Sequence, residues 1–422
     1  MKNAVTISLI LFAFSLLSCS RNDSKKVTIT FWALGAEGET VEKLVPGFEK
    51  ENPGIHVVVQ MIPWTTAQEK LITAYASNNT PDACQLGNTW VPQFQALDAL
   101  ENLDSWVKAS QVIKQNEYFS GIWDTNVLDG SIYGIPWYID TRLLFYRTDI
   151  LAQAGYSTPP RTWAELYEVS KKIKQKAGNS ERYAIYLPTN EWAPFITFGI
   201  QNGSSILKDN GRYGDFSGAK FMKAFDYLVK FHKEGLAPTG ISQVTNVYQA
   251  FAEGYFAMYI SGPWNVKEFS RWMTGSLKDK WMTATLPAPE AGKAGLSLAG
   301  GSSLVIFKRS SHKAEVWKFF EYLSRPRVQM QFYREINDLP AIKAAWQDTA
   351  LSRNKYMKAF FEQFHHVVAT PKVPEWEQIA FSKVQLYAEL AARNVMPVKS
   401  ALSALDKDVD NILEKRRWLL RK

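Results

Sequence analysis

The N-terminal part of the chain alternates between strand-like and helix-like patterns of apolar residues. Continuous or alternating apolar runs are typical of buried strands, and apolar residues three or four positions apart are typical of helices. In chain order the patterns predict a strand at 27–33, a helix at 41–48, a strand at 55–62, a helix at 67–76 and a strand at 83–87. Pro46 predicts a kink or an early end of the first helix. This β-α-β-α-β order predicts a parallel sheet covered by helices on both faces.

Two loops at the ends of these strands are candidate binding segments. Ligands of parallel sheets bind beyond the carboxyl ends of the strands, where loops lead into helices. The first loop, 33–37, follows the first strand and ends with Glu37. The second loop, 87–90, follows the third strand and contains Asn88 and Trp90.

Similar patterns continue along the chain. A helix is predicted to start at Thr162, and others to cover 219–233 and 312–323, with strands at 255–260 and 303–307 between them. His232 shares the apolar stripe of the second of these helices, so we interpret it as a packed residue and not as a metal ligand.

Several tryptophans fall in loops beside Gly or Pro, where helix packing cannot easily bury them. They are Trp192, Trp264 and Trp376, and a glycine-rich loop with Gly301 and Ser302 lies between the last two. Any one of these rings could simply cover a domain edge. Together, segments from four separate places favour a shared cleft lined by aromatic rings.

The first residues indicate export. Lys2 and the apolar run at 4–17 are typical of a secretory signal, because the run is too short to span a membrane. LLSC at 16–19 is similar to a bacterial lipobox and predicts a signal peptide at 1–18, a lipidated Cys19 and a polar tether at 19–26. An ordinary signal with an incidental cysteine is the alternative. No later segment is apolar enough to span a bilayer, so we expect a lipid-anchored protein, periplasmic or on the outer cell surface.

Composition and charge exclude several classes of protein and of binding site. With 422 residues, 46% of them hydrophobic and 21% charged, the chain is typical of a soluble protein with two domains. The net charge is +8, but the basic residues are interleaved with acidic ones, which argues against nucleic-acid binding. Cys84 is the only cysteine besides Cys19. It has no partner for an internal disulfide, a Cys-rich zinc site is excluded, and we expect Cys84 to be buried.

Catalytic motifs are weak or missing. The sequence contains no H-E-x-x-H and no phosphate-binding P-loop, and the nearest match to a nucleophile elbow, at 295–299, is not followed by a helical pattern. A pair of carboxylates for a glycosidase cannot be recognised locally. Polar groups and aromatic faces without a nucleophile are what carbohydrate recognition requires, since rings stack on sugars and fixed carboxylates or amides bind the hydroxyls.

Six segments in order carry a resemblance to a known family. They are FWAL with FEKENPGIHV, TPDACQLGNTW, YGIPWYIDTRLLFYRTDIL with RTWAEL, FAEGYFAMYISGPWN, AGGSSLVIFKRSSHKAEVWKFFEYL, and DLPA at 338–341. The chain resembles the extracellular solute-binding proteins of family 1, maltose-binding-protein-like sugar-binding lipoproteins of bacterial ABC importers. Pro46 and the turn at 253–256 depart from the family pattern.

The resemblance implies an α/β fold with two lobes, each a mostly parallel sheet flanked by helices, joined by hinge crossovers. It implies lobe 1 at 27–137 and 293–340 and lobe 2 at 138–292 and 341–422. The segment 133–146 is similar to the first crossover, leaving lobe 1 near Ile135 and entering lobe 2 near Leu143. There Asp140 contacts either the ligand or Arg142, since the two lie on one face of a strand.

The implied function is a sugar receptor, not an enzyme, that delivers a carbohydrate, expected to be an oligosaccharide, to the importer's permease. It needs no cofactor or metal and is expected to be a monomer anchored through Cys19. The expected sugar-binding residues are Trp32, Glu37, Asn88, Trp90, Tyr138, Asp140, Glu191, Trp192, Trp264, Gly301, Ser302 and Trp376. An exported carbohydrate-active enzyme, or a receptor for a polyol, peptide, polyamine or metal chelate, remains as the alternative.

Overall fold

The structure, a computed structural model, describes residues 26–178, 181–240 and 243–420. The predicted signal peptide and Cys19 lie outside these residues. The strands are β1 (Val27–Leu34), β2 (Ile55–Ile62), β3 (Ala83–Gly87), β4 (Val127–Leu128), β5 (Ser131–Ile132), β6 (Ile135–Asp140), β7 (Leu143–Arg147), β8 (Tyr183–Tyr186), β9 (Leu207–Lys208), β10 (Tyr213–Gly214), β11 (Phe256–Ser261), β12 (Trp281–Ala284), β13 (Ser297–Leu298), β14 (Gly300–Ile306), β15 (Leu339–Pro340) and β16 (Val367–Val368).

Helices surround these strands. They are α1 (Gly35–Glu51), α2 (Trp64–Ala76), α3 (Val91–Ala96), α4 (Asp104–Ala109), α5 (Ser120–Asp124), α6 (Thr148–Gln153), α7 (Trp163–Ala177), α8 (Ala193–Gln201), α9 (Ala219–Lys233), α10 (Val247–Ala252), α11 (Trp264–Trp272), α12 (Lys313–Leu323), α13 (Pro326–Ile336), α14 (Thr349–Ser352), α15 (Met357–Phe364), α16 (Gln385–Ala392), α17 (Val398–Ile412) and α18 (Glu414–Leu419). Short 3₁₀ turns include Asn88–Trp90, and Gln378–Val384 is a π-helix. No helix in the described ranges has the length and apolarity needed to cross a membrane.

The larger sheet has six strands in the order β15-β6-β14-β3-β1-β2. β1 pairs in parallel with β2 and β3, as the sequence predicts, but β14 is antiparallel to both β3 and β6. A second sheet has the order β12-β7-β11-β8, and only β11 and β8 are parallel there. In the first sheet β6, β3, β1 and β2 therefore run in one direction and β14 and β15 in the other, and in the second sheet β7 alone opposes β12, β11 and β8. Most strands of each sheet share one direction, as expected, although both sheets are mixed. β14 returns to the first sheet after the long excursion through the second sheet and enters it antiparallel to β3 and β6.

The chain passes from the first sheet to the second within two residues. β6 ends at Asp140 and β7 begins at Leu143, so only Thr141 and Arg142 lie between the sheets. This confirms the crossover expected in 133–146 and the entry into the second sheet at Leu143, but the chain leaves the first sheet after Asp140 and not near Ile135. The hydroxyl of Thr141 donates to the carbonyl of Leu298 at 2.8 Å, and the Ser297 hydroxyl donates to the Arg142 carbonyl at 2.7 Å. The crossover is thus tied to β13, while the exact lobe boundaries at 137, 292 and 340 stay predictions.

Two predicted helix features can be compared with the structure. Pro46 does not end α1, which continues to Glu51, so the predicted early end is wrong. Pro46 lies on the exposed side, where water can bind the carbonyl that loses its partner. α7 begins as predicted, because Thr162 caps it by accepting from the Glu165 N–H at 3.1 Å. Glu165 in return accepts from the backbone N–H of Arg161 at 2.7 Å.

Cys84 and His232, both predicted to be buried or packed, lie in the hydrophobic core. Cys84 is fully buried and free, as expected. His232 is also buried, with its Nδ1 2.9 Å from the Pro238 carbonyl, which confirms that it is a packed residue. Burial lowers the pKa of His232 to about 4, so it is neutral at physiological pH. The C-terminal helices α16 and α17 share a hydrophobic core with α7 to α9, beside the second sheet.

Candidate ligand-binding cleft

A cavity of about 410 Å³ lies where loops from the two large sheets meet. We call it the cleft cavity. It is lined by Glu37, Trp64, Gly87, Asn88, Thr89, Trp90, Tyr138, Ile139, Asp140, Arg142, Trp192, Ala193, Pro263, Trp264, Leu298, Ala299, Gly300, Gly301, Asp338, Thr370, Glu377 and Phe381. Its volume falls in the range of about 300–1,000 Å³ that is usual for small-molecule sites.

The floor of the cavity is the antiparallel pair of β6 and β14. Gly300 lies opposite Asp140, and a Cβ on Gly300 would be 2.1 Å from the Asp140 carboxylate. Gly301 has a φ of +118°, and a Cβ there would be 2.2 Å from the Tyr138 carbonyl. Glycine at both positions therefore lets the two strands approach closely while the Asp140 side chain stays at the cavity.

Glu37 is held as a fixed acceptor at one side of the cavity. It lies in the first turn of α1, where the helix dipole favours a negative charge. The Tyr138 hydroxyl donates to Glu37 at 2.7 Å, and the Trp64 indole N–H donates to it at 3.1 Å. Tyr138 in turn accepts from Ser302 at 3.0 Å and from the Gln85 amide at 3.2 Å. Burial and the neighbouring Glu37 raise the pKa of Tyr138, so its hydroxyl remains a donor.

Asp140 and Arg142 form the ion pair that their spacing suggested. Their nearest charged atoms are 2.9 Å apart, and the Arg142 guanidinium also lies 3.5 Å from Glu191. The same guanidinium lies over the Trp264 ring, 4.7 Å from its centroid. Burial raises the pKa of Asp140 despite the nearby Arg142. Because both side chains also line the cavity, pairing with each other and facing a ligand are not exclusive.

Asp338 adds an unpaired carboxyl group to the same cavity. Its Oδ2 is shielded from solvent and has no hydrogen-bond partner among the residues that the structure describes. Burial, and then the charges of Glu37 and Asp140, raise the pKa of Asp338 to about 8. At neutral pH this carboxyl group is therefore mostly protonated and can donate a hydrogen bond, whereas a carboxylate only accepts.

Aromatic rings enter the cavity from both sides. Trp64 and Trp90, which follow strands of the first sheet, form an edge-to-face pair with ring centroids 5.5 Å apart. Trp192 and Phe381 form a similar pair at 5.8 Å on the opposite side. Trp264 is 45% exposed and offers the largest free indole surface of the rings that line the cavity. The arrangement can hold a flat, partly apolar ligand between rings, with polar groups at its edge.

Eight of the twelve expected site residues line the cleft cavity. They are Glu37, Asn88, Trp90, Tyr138, Asp140, Trp192, Trp264 and Gly301. The side-chain amide of Asn88 already makes a hydrogen bond within the protein, because it donates to the Ala299 carbonyl at 2.8 Å.

The other four expected residues lie behind or away from the cavity. Trp376 is fully buried and packs edge-to-face on Trp192 at 5.7 Å, so it supports that ring and has no free face for a ligand. Trp32 does not line the cavity, and the Lys70 ammonium lies 5.3 Å from its ring. Glu191 acts through Arg142, and the Ser302 hydroxyl is directed to Tyr138. Direct ligand contact by Trp376 and Trp32 therefore does not fit this structure.

Several lining residues escaped the sequence reasoning. Trp64 directly follows the turn after β2, and the rule applied to the ends of β1 and β3 would have found it. Asp338 precedes β15, and its position in the DLPA segment does not by itself indicate that it lies at a cavity. Glu377 and Phe381 lie at and within the π-helix, which the apolar pattern does not reveal.

The two sheets and the cleft between them define a two-lobed ligand-binding protein. Residues 32–330 match the family described as bacterial extracellular solute-binding protein, and the chain belongs to this family.

Known relatives cover most of the chain. The chain is 26% identical to the galactooligosaccharide-binding protein of Bacillus subtilis, covering 89% of this chain and 87% of that protein. It is 27% identical to the diacetylchitobiose binding protein DasA of Streptomyces coelicolor, and this match covers 92% of this chain and 89% of that protein. The solved structure of the sugar-binding protein MalE from Xanthomonas citri is similar with a TM-score of 0.90 and 47% identity. That match covers 94% of this chain and 100% of the MalE chain.

Proposed function

We propose that the protein is the substrate-binding subunit of a bacterial ABC importer, and that it binds a carbohydrate in the cleft cavity and delivers it to the permease. The observation that carries this proposal is the combination of rings from both sides with fixed polar groups on the floor. Trp264, which is 45% exposed, offers a face for the C–H surface of a sugar ring, and Trp192, which is 8% exposed, contributes the opposite wall of the cavity. Glu37 and Asp140 offer acceptors for the hydroxyls of the sugar, and Asp338 offers a donor.

The relatives support the same ligand class. These relatives are described as a galactooligosaccharide-binding protein, a diacetylchitobiose binding protein and a sugar-binding protein, and the match covers 87–100% of each of them. Membership of a family of binding proteins supports a receptor that returns its ligand unchanged. Lipid anchoring through Cys19 and a monomeric state are further parts of the proposal, resting on the N-terminal sequence and the family resemblance.

The cavity also gives a reason to check for hydrolysis. A protonated carboxyl group near carboxylates is the residue set that a glycosidase uses, and Asp338 with Asp140 and Glu37 has that composition. Incubation with an oligosaccharide followed by analysis of reducing ends separates the two functions. We expect the saccharide to be recovered intact.

The main test is titration calorimetry with maltose, a galactooligosaccharide, diacetylchitobiose, a polyol and a polyamine. We expect at least one saccharide to bind. Trp192→Ala and Trp264→Ala should each weaken that binding at least tenfold, equivalent to about 1.4 kcal/mol, because a stacking surface is lost.

Trp272→Ala is the matched control. Trp272 ends the same helix that Trp264 begins and is 40% exposed, but it does not line the cleft cavity. Its removal should leave the affinity unchanged. Binding of the polyamine or the polyol without any saccharide would contradict the proposal.

A further inference from the structure

A cavity of about 550 Å³ lies apart from the cleft cavity, and the two cavities share no lining residue. It is bordered by the 3₁₀ turn Lys343–Gln347 and the helices α14 and α15, and Glu117 lines it from another part of the chain. We call it the basic pocket, because Glu117 is the only acidic residue among those that line it. Its cationic lining residues are Lys343, Arg353, Lys355 and Lys358. The basic pocket is large enough for a small organic ligand.

Apolar side chains form the inner surface of the basic pocket. Trp346, Leu351 and Met357 are buried there, whereas Phe361 is 38% exposed. The rings of Trp346 and Phe361 lie 5.5 Å apart between centroids, and the Trp346 indole N–H donates to the Pro340 carbonyl at 3.0 Å. That bond fixes the Trp346 ring, so an apolar ligand would meet a preformed surface and would remove water from the exposed part of Phe361.

Two of the four cations are not neutralised by the protein. The Lys355 ammonium pairs with Asp279 at 2.6 Å, and the Lys343 ammonium donates to a backbone carbonyl at 2.8 Å. The exposed side chains of Arg353 and Lys358, by contrast, form neither an ion pair nor a hydrogen bond with any residue that the structure describes. An unpaired cation at a surface is ordinary, but two of them beside an exposed apolar ring are complementary to an anion with an apolar body.

We propose that the basic pocket is a second ligand site, for a small organic anion that carries a carboxylate or phosphate group on an apolar ring. The ring lies over Phe361 and the buried apolar residues, and the anionic group faces Arg353 and Lys358. A guanidinium binds either anionic group through two parallel N–H···O bonds, which favours these groups over a neutral polar group. The inference does not depend on the carbohydrate-binding function, because the two cavities have no lining residue in common.

Titration calorimetry of the intact protein with four probes tests the required chemistry. Naphthoate and naphthyl phosphate combine an apolar ring system with each of the two anionic groups. Naphthylmethylamine carries the same ring system on a cation, and acetate has the charge without the ring. We expect at least one of the two aromatic anions to bind about tenfold or more tightly than both the aromatic amine and acetate, because only the aromatic anions match both the charge and the apolar surface.

Two variants assign this binding to the basic pocket. Ala344→Trp fills the pocket from an exposed position on the 3₁₀ turn, and Arg353→Gln removes an unpaired charge. Each should weaken binding of the aromatic anion by about tenfold or more and leave saccharide affinity unchanged. Ala350→Trp and Arg327→Gln are the matched controls, because both residues are exposed and line neither cavity. The controls should keep the affinity of the wild type for every probe.

Three results would overturn the proposal. The first is that neither aromatic anion binds. The second is that the aromatic amine binds as tightly as the anions, which would show that the charge of the pocket selects nothing. The third is that Ala344→Trp and Arg353→Gln both keep the affinity of the wild type, which would place the bound anion elsewhere on the protein. None of these results affects the carbohydrate-binding function, which is measured separately with saccharides.

Discussion

Replacing Asp338 by Asn tests whether this carboxyl group is protonated in the folded protein. Its Oδ2 has no partner among the described residues, and burial with the charges of Glu37 and Asp140 raises its pKa to about 8. Asn has the same shape and keeps a donor and an acceptor, but it has no proton to lose. The substitution therefore removes the titration with little change in packing.

The size and sign of the effect follow from proton linkage. In the unfolded chain the pKa of an Asp is about 3.9, and each unit of difference corresponds to about 1.4 kcal/mol. Below pH 4, Asp338 is protonated in both the folded and the unfolded protein, so folding carries no penalty from this group. As the pH rises towards 8, only the unfolded chain releases the proton, and the folded wild type loses stability. The limit of this loss is on the order of 5 kcal/mol, and it is complete above pH 8.

The assay is urea unfolding of wild type and Asp338→Asn, without ligand, at pH values from 4.5 to 9. The difference in free energy of unfolding, variant minus wild type, should grow with pH and level off near pH 8. Asp129→Asn is the control, since Asp129 lies exposed in a turn outside the cavity, and its difference should be constant. Parallel profiles for wild type and Asp338→Asn would refute the protonated state of Asp338.

Two further substitutions probe the cavity floor. Arg142→Ala leaves Asp140 and Glu191 without their shared cation, and we expect a loss of roughly 3 kcal/mol in the free energy of unfolding, measured in urea, with weaker saccharide binding. Gly300→Ala places a Cβ 2.1 Å from the Asp140 carboxylate. We expect it to cost about 1–3 kcal/mol of stability and to reduce saccharide affinity in calorimetry at least tenfold.

A comparison variant for each of these two substitutions shows which physical change produces the loss of stability. Arg142→Lys keeps the charge but not the planar fork, so its effect should be intermediate. Gly54→Ala is the control for Gly300→Ala, because a Cβ on Gly54 meets no atom within 4 Å. Equal effects of the two alanines would contradict the role of close strand approach at the cavity floor.

Local pattern was sufficient to predict much of the fold. The helix at Thr162 was predictable because its cap, its acidic residue three positions later and its apolar spacing all agree. β3 was predictable because a strand that is buried throughout is continuously apolar, and β1 and β2 were predictable from their short runs rich in β-branched residues. The direction of β14 was not, because β14 joins the first sheet only after a long excursion through the second.

The site was only partly predictable, since exposure of a loop residue depends on distant segments. Trp192 and Trp376 both follow a glutamate in loops, yet Trp192 reaches the cavity and Trp376 packs behind it. Asp338 and Glu37 are far apart in sequence and come together only through β15 and α1. Phe381 reaches the cavity from a π-helix, and a pattern read with the period of an α-helix cannot place it.

The two-residue link between β6 and β7 has a mechanical consequence. Arg142 is half of that link, and its guanidinium joins Asp140 of the first sheet, Glu191 and the Trp264 ring. A rotation of one sheet against the other would change backbone torsions at Thr141 and Arg142, the two residues that join β6 to β7. Torsional change at Arg142 would disturb its three side-chain contacts, so we expect lobe movement and ligand binding to be coupled through Arg142.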